Sequence, residues 1–127
     1  MTVLRRRRYD ETEGGSPNMS RYLLIETKDP LDGGDYSFEL GKQLRKDRHE
    51  VSLYLLQDAV LAARRGFRFG ESLLTEAKSS GLTVLADEIS LRQRGVSGER
   101  LSREVRTAGM TELVELLMEG SEKAIWH

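Results

Sequence analysis

The clearest strand signal in the chain is Glu50-Val51-Ser52-Leu53-Tyr54-Leu55-Leu56. On an extended backbone successive side chains alternate, so Val51 and Leu55 lie on one face while Tyr54 and Leu56 contribute to the other. A strand that is apolar on both faces needs cover on both sides, which is typical of the inner strands of a parallel sheet. The stretch therefore predicts a buried strand at the centre of an α/β domain.

Apolar runs and helical segments alternate on both sides of this stretch. The other predicted strands are Arg21–Glu26, residues 82–86, a weaker one around 103–107, and Lys123–Trp126. Such alternation is the sequence sign of βαβ units. We predict one α/β domain over residues 20–127, with a three-layer open parallel sheet of about five strands and helices on both faces. Right-handed crossovers make the flavodoxin-like order 2-1-3-4-5 the simplest assembly.

The loop Asp32-Gly33-Gly34-Asp35 precedes the first predicted helix. It lacks the glycine spacing of a dinucleotide-binding loop and the Gly-Lys-Ser/Thr of a P-loop, so we interpret it as a turn and helix cap. Further helices are predicted near residues 58–63, 71–80, 89–94 and 111–119.

Residues 1–19 have a different composition from the rest of the chain. Four arginines, Arg5 to Arg8, are followed at once by Asp10, Glu11 and Glu13, which partly cancel their charge. The segment has too few apolar residues to offset the entropy of ordering. We expect a disordered, solvated tail rather than a nucleic-acid-binding arm.

The overall composition limits the chemistry that is available. The 127 residues include 20 Lys and Arg against 21 Asp and Glu, so no strong global field attracts nucleic acid or a membrane. Absence of cysteine excludes a thiolate nucleophile, and two histidines are too few for a typical zinc cage. We expect a cytoplasmic protein without cofactor, metal or membrane span, because no apolar run approaches the roughly 20 residues that a span needs.

Ligands of open α/β sheets bind at the carboxyl ends of the strands. The residues that follow the first three predicted strands are therefore expected to line a crevice: Glu26, Thr27, Gln57, Asp58, Asp87, Glu88, Ser90, Arg92 and Arg94. Pairing of Asp87 with Arg92 or Arg94 is the simplest expectation. An alternative is an enzyme in which Asp87, Glu88 and Asp58 form a carboxylate cluster for acid–base or metal-assisted chemistry.

No residue is assigned a catalytic role. His49 precedes its strand and so lies at the opposite edge of the sheet. His127 is the final residue of the sequence, where fraying is common, and no partner for it is evident. Ser90 has neither a nearby His-Asp arrangement nor a nucleophile elbow.

Three stretches resemble the DsrE/DsrF/DsrH superfamily, which includes the Tus sulfur-relay subunits. They are Ala86-Asp87-Glu88-Ile89-Ser90-Leu91-Arg92-Gln93-Arg94-Gly95-Val96, the run from His49 to Val60, and Gly109-Met110-Thr111-Glu112-Leu113. In the sulfur-transferring members, the loop after the third strand holds one cysteine or a Cys-x-x-Cys pair that carries a persulfide. Those positions fall on Asp87 and Ser90 here, so the resemblance implies the fold without the sulfur chemistry.

The resemblance further implies a non-catalytic subunit or a binding protein for a partner or small ligand. It implies a homo-oligomer, a trimer or hexamer, or a hetero-oligomer with a cysteine-bearing DsrE-like homologue. The segment Phe67 to Phe69 is the expected interface, since aromatic residues beside arginine are typical of interfaces. Trp126 is expected to be mostly buried against the last helix.

Overall fold

A six-stranded sheet flanked by helices forms the body of the protein. The computed structural model describes residues 2–5 and 19–127. The strands are β1 (Thr2–Arg5), β2 (Arg21–Glu26), β3 (Glu50–Leu55), β4 (Thr83–Asp87), β5 (Arg106–Ala108) and β6 (Lys123–Trp126). The helices are α1 (Tyr36–Lys46), α2 (Arg68–Ser79), α3 (Glu88–Gln93) and α4 (Met110–Glu115). The 3-10 helices Gln57–Ala63 and Gly98–Arg100 and the wide turns Pro30–Gly34 and Leu116–Gly120 complete the connections.

The sheet confirms the α/β class but not the predicted strand order. Its order is β1-β6-β2-β3-β4-β5, and β1 is antiparallel while the other neighbours are parallel. The five strands that were predicted therefore lie in the order 5-1-2-3-4, and the order 2-1-3-4-5 is wrong. The right-handed crossover rule fixes the hand of each connection, but it leaves open the edge on which the last strand pairs.

This strand order distributes the helices unequally over the two faces. One core cluster holds Leu24 and Leu53 of the sheet with Phe38 of α1 and Leu74 of α2. The other holds Tyr54 and Leu85 of the sheet with Leu113 of α4. Because the chain steps from β2 to β5 in one direction, its first three helices share a face, and only the return to β6 places α4 on the other.

The first residues differ from the expected disordered tail. Thr2–Arg5 forms β1 and pairs with Lys123–Trp126, with Thr2 opposite Trp126 and Val3 opposite Ile125. Val3 is 56% exposed, so burial contributes little here, and the order of the segment comes from backbone pairing with the free edge of β6. Residue 1 and residues 6–18 lie outside the described residues, so the prediction of disorder there stays a prediction.

Trp126 is 40% exposed, so the prediction that it is mostly buried is wrong. It shares a face of β6 with Ala124, which is buried. Trp126 lies two residues further along, at the end of the strand. Within the described part of the chain, no helix has the length and apolar character needed to cross a membrane.

Candidate functional site

The ends of β3, β4 and β5 meet at the carboxylate of Asp87, the last residue of β4. Its Oδ1 accepts a hydrogen bond from the Tyr54 hydroxyl at 2.8 Å. Its Oδ2 accepts from the backbone N–H of Ser90 at 2.9 Å and from the Ser90 hydroxyl at 2.8 Å. Asp87 is 3% exposed and caps the amino end of α3. Both oxygens of this carboxylate are therefore occupied within the protein.

The hydroxyl of Tyr54 joins three strand ends. It lies 3.3 Å from the carbonyl oxygen of Ala108 and 3.2 Å from that of Gly109, at the end of β5. The carboxylate and both carbonyl oxygens are acceptors, and the single hydroxyl proton goes to the nearest of them, Oδ1 of Asp87. Burial, and then the hydrogen bond to Asp87, raise the pKa of Tyr54 well above its usual value of 10.0. The phenol is thus held in its neutral, donating form.

Ser90 connects α3 to the segment after β3. Its hydroxyl accepts a hydrogen bond from the backbone N–H of Gln57 at 2.9 Å. Gln57 has a φ of 53°, an uncommon conformation for a residue other than glycine. Beside it, Asp58 forms an ion pair with Arg94, with Oδ1 at 3.0 Å from Nη2 and 3.0 Å from Nε.

A second polar cluster lies at the end of β2, around Glu26. This side chain is fully buried, and its Oε2 accepts from the backbone N–H groups of Thr27 and Lys28 at 3.0 and 3.1 Å. Oε1 accepts from the hydroxyl and the backbone N–H of Ser37 in α1, at 2.8 and 3.3 Å. Nδ1 of His127 lies 2.8 Å from Oε1 and 3.1 Å from Oε2.

The contact with Glu26 favours one tautomer of the His127 imidazole. The carboxylate oxygens of Glu26 can only accept, so the arrangement favours the tautomer in which Nδ1 of His127 carries the proton. The imidazole packs against the ring of Tyr36, with centroids 4.5 Å apart, and its side chain is 17% exposed. In that tautomer the lone pair of the ring lies on Nε2.

The nine residues predicted to line one crevice divide into three groups. Asp87, Ser90 and Gln57 form one hydrogen-bonded network, and the pair Asp58–Arg94 lies beside it. Glu88 and Arg92 line an open groove of about 370 Å³ next to α3. Glu26 and Thr27 belong to the other cluster, because β3 lies between β2 and β4. Whether any of these groups binds a ligand stays a prediction.

The expected pairing of Asp87 with an arginine is wrong. Asp87 is enclosed by Tyr54 and Ser90, and Arg94 instead reaches the exposed carboxylate of Asp58. A buried carboxylate at a strand end is more easily satisfied by nearby neutral donors than by a guanidinium that would have to lose its water. Among residues 2–5 and 19–127, no three His, Asp or Glu side chains are grouped so that they could hold a metal ion.

Sequence reasoning missed two members of these clusters. Tyr54 looked like an ordinary strand residue, although a tyrosine in a buried strand must find a hydrogen-bond partner and therefore signals a polar neighbour. His127 was assigned no partner because Glu26 is 101 residues away along the chain. Only the pairing of β6 with β2 brings the two together.

Solved structures of other proteins share the fold of this chain. The ychN protein from E. coli matches with a TM-score of 0.77 and 20% identity, over 86% of this chain and 100% of that one. MTH1491 of Methanobacterium thermoautotrophicum, a protein of unknown function, matches with a TM-score of 0.70 and 19% identity over 84% and 97%. BT1422 of Bacteroides thetaiotaomicron, a conserved protein of unknown function, gives 0.69 and 16% over 84% and 94%. The chain thus shares the small open α/β fold of these proteins.

The family follows from the sequence. The sequence model of the family described as DsrH like protein matches residues 38–123, which is more than half of the chain. The chain therefore belongs to the DsrH-like family, and the resemblance to the DsrE/DsrF/DsrH superfamily is confirmed. No curated protein matches the sequence.

Proposed function

We propose that the protein is a non-catalytic, DsrE-like subunit, related to the sulfur-relay proteins, that binds a partner or a small ligand. The observation that carries this proposal is the state of Asp87. It stands where the resemblance places a sulfur-carrying cysteine, and its carboxylate is buried with both oxygens hydrogen-bonded to Tyr54 and Ser90. A carboxylate held in this way stabilises the strand ends and offers neither a thiolate nor a free nucleophile.

The alternative is an enzyme in which Asp87, Glu88 and Asp58 act together. The geometry gives this alternative less support, because Asp87 is enclosed and Asp58 pairs with Arg94. Glu88 is exposed on the groove beside α3. Two carboxylates that share a proton, or a metal ion, need to face each other, and here each has its own surroundings.

The proposed partners are further copies of this chain, in a trimer or hexamer, or a cysteine-bearing DsrE-like homologue. The open groove beside α3 offers charge through Glu88 and Arg92 and an apolar contact through the half-buried Leu101, which suits recognition of a partner or ligand.

The test measures association directly. The purified protein is examined alone by light scattering, and it is then titrated calorimetrically with a cysteine-bearing DsrE-like homologue from the same genome. We expect self-association, complex formation with the homologue, or both, at micromolar concentration. A protein that stays monomeric and gives no heat with the homologue would contradict the proposal.

A further inference from the structure

The strand order of the sheet reverses between β2 and β6. The chain steps from β2 through β3 and β4 to β5, and it then returns past β2 to β6. Helix α1 follows β2 on the face where Phe38 packs, whereas α4 precedes β6 on the face where Leu113 packs. Ligands of open α/β sheets bind outside the carboxyl ends of the strands at such a reversal. This rule points to the ends of β2 and β6 rather than to the end of β4.

The Glu26–His127 pair lies at these two strand ends. Glu26 is the last residue of β2, and His127 directly follows β6. The backbone N–H of His127 donates to the carbonyl of Ile25 at 2.8 Å, and the N–H of Thr27 donates to the carbonyl of His127 at 2.9 Å. The imidazole is therefore held in place before any ligand binds. A preformed site avoids the entropic cost of ordering a loop during binding.

The two histidines of the chain favour opposite tautomers. Nδ1 of His49 accepts a hydrogen bond from the backbone N–H of Ser20 at 3.0 Å, so Nε2 of that ring carries the proton. In His127 the contact with Glu26 leaves the lone pair on Nε2. Within residues 2–5 and 19–127, this Nε2 has no hydrogen-bond partner, and no buried side-chain nitrogen lacks one. Nε2 of His127 therefore reaches solvent.

The contact with Glu26 also strengthens this acceptor. A carboxylate that accepts from one ring nitrogen of a histidine makes the other nitrogen more basic. A ligand at Nε2 must then supply a hydrogen-bond donor. Hydroxyl, amide and ammonium groups are donors, and the charge around the site decides between them.

The surroundings of Nε2 favour a positively charged donor. The segment 26–37 leaves the site at the end of β2 and returns to it in the first turn of α1. Against the single ammonium of Lys28 it carries four carboxylates, those of Glu26, Asp29, Asp32 and Asp35. The ring of Tyr36 is 39% exposed, and its centroid lies 4.5 Å from that of the imidazole. A cation that donates to Nε2 thus lies beside an aromatic ring, whose π electrons attract it.

We propose that the ends of β2 and β6 bind a small primary amine in its ammonium form, which donates one N–H to Nε2 of His127. Glu26 is a positioning residue, because it fixes the tautomer and orientation of the imidazole without contacting the ligand. This inference rests on the proposed function, since it names the class of small ligand that the protein binds.

Three probes of similar size test the class of ligand. They are n-butylamine, n-butanol and butyrate, which differ in the charge of the polar group. Each is titrated into ¹⁵N-labelled protein in mildly alkaline buffer, where free imidazole is neutral and alkylamines are protonated. Butylamine should shift the Nε2 resonance of His127 and bind roughly tenfold or more tightly than butanol, and butyrate should not bind.

Two variants with the same substitution test the acceptor. His127→Phe keeps a ring against Tyr36 but removes Nε2, and it should raise the dissociation constant for butylamine roughly tenfold or more, because a hydrogen bond to a charged group is lost. His49→Phe makes the matched change at the opposite edge of the sheet and should leave the constant unchanged.

Glu26→Gln tests the positioning role. It removes the charge that fixes the tautomer, so the ¹⁵N spectrum of the His127 ring should show a larger share of the tautomer protonated at Nε2, and butylamine should bind more weakly. An unchanged ring spectrum together with unchanged binding would contradict the role assigned to Glu26.

Circular dichroism checks that each variant is folded, and the Nε2 shift in the wild type needs no variant. An Nε2 resonance that butylamine does not move overturns the inference. So does butanol or butyrate that binds as tightly as butylamine, or equal constants for His127→Phe and His49→Phe. The proposed function is judged separately by light scattering and by titration with the homologue, so the two failures are distinguishable.

Discussion

Tyr54 and Asp87 illustrate how two residues can hold the carboxyl ends of neighbouring strands in place. The Tyr54 hydroxyl donates to Asp87 at 2.8 Å and lies against two backbone carbonyls of the neighbouring strand end. Removal of one partner leaves the other buried without its hydrogen bond, which costs more than the bond itself contributes.

Tyr54→Phe should lower the free energy of unfolding by about 1–3 kcal/mol, because it leaves Oδ1 of Asp87 without its donor. Urea denaturation followed by circular dichroism measures the change. Tyr22→Phe is the matched control, since the Tyr22 hydroxyl is only half-buried and accepts from Lys123 Nζ at 3.3 Å. A Tyr54→Phe protein as stable as the control would show that the network contributes nothing.

The raised pKa of Tyr54 also predicts an alkaline limit to stability. In the unfolded chain Tyr54 loses its proton near its ordinary pKa of about 10, whereas in the folded protein it keeps the proton to higher pH. Its contribution is therefore complete below pH 10 and is lost as the pH rises further. Denaturation midpoints measured from pH 8 to 11 should fall above pH 10 more steeply in the wild type than in Tyr54→Phe. Equal slopes would contradict the assignment.

At the scale of elements, α2 approaches the 3-10 helix Gln57–Ala63 closely at Gly70. A Cβ atom there would lie 2.4 Å from the carbonyl oxygen of Ala62, which is backbone and cannot turn aside. Gly70→Ala should therefore destabilise the protein by roughly 1–3 kcal/mol, despite the better helix propensity of alanine. Thermal unfolding followed by circular dichroism gives the change in stability.

Gly41 provides the comparison for Gly70. A Cβ at Gly41 would meet the Leu82 side chain at 2.5 Å, and a side chain can rotate or shift where a backbone cannot. Gly41→Ala should cost less than Gly70→Ala. The reverse ranking would show that the spacing between α2 and the segment before it does not limit the packing.

Elements with their own apolar pattern could be predicted from the sequence. The bounds of β2 and β6 agree with the prediction, β3 differs from it by one residue at one end, and β4 differs by one residue at each end. The short edge strands β1 and β5 were missed or misplaced, because exposed edge strands carry little apolar signal and owe their order to the strand beside them. The periodicity of apolar residues indicates which side chains are buried. It is therefore a weak signal for a strand that is ordered only by pairing with one neighbouring strand.

The architecture of the whole molecule depends on pairing between strands that are far apart in the sequence. The sequence alone did not predict these pairings. The position of Asp87 at a strand end followed from local pattern and was right, but its partner Tyr54 depends on the pairing of β3 with β4. The Glu26–His127 pair needs β6 beside β2, which the predicted strand order did not contain. Strand order is thus the step that limits prediction of the candidate site.

Transfer of sulfane sulfur is the most direct test of the claim that Asp87 is a structural residue in place of a sulfur carrier. The wild-type protein and Asp87→Cys are incubated with a persulfide donor and then examined by intact mass spectrometry. Asp47→Cys, an exposed position at the end of α1, controls for any surface thiol. Circular dichroism shows whether Asp87→Cys keeps its fold without the bonds to Tyr54 and Ser90. We predict no sulfur adduct on the wild type and an adduct on Asp87→Cys that exceeds the one on Asp47→Cys, whereas a stable adduct on the wild type would contradict the account.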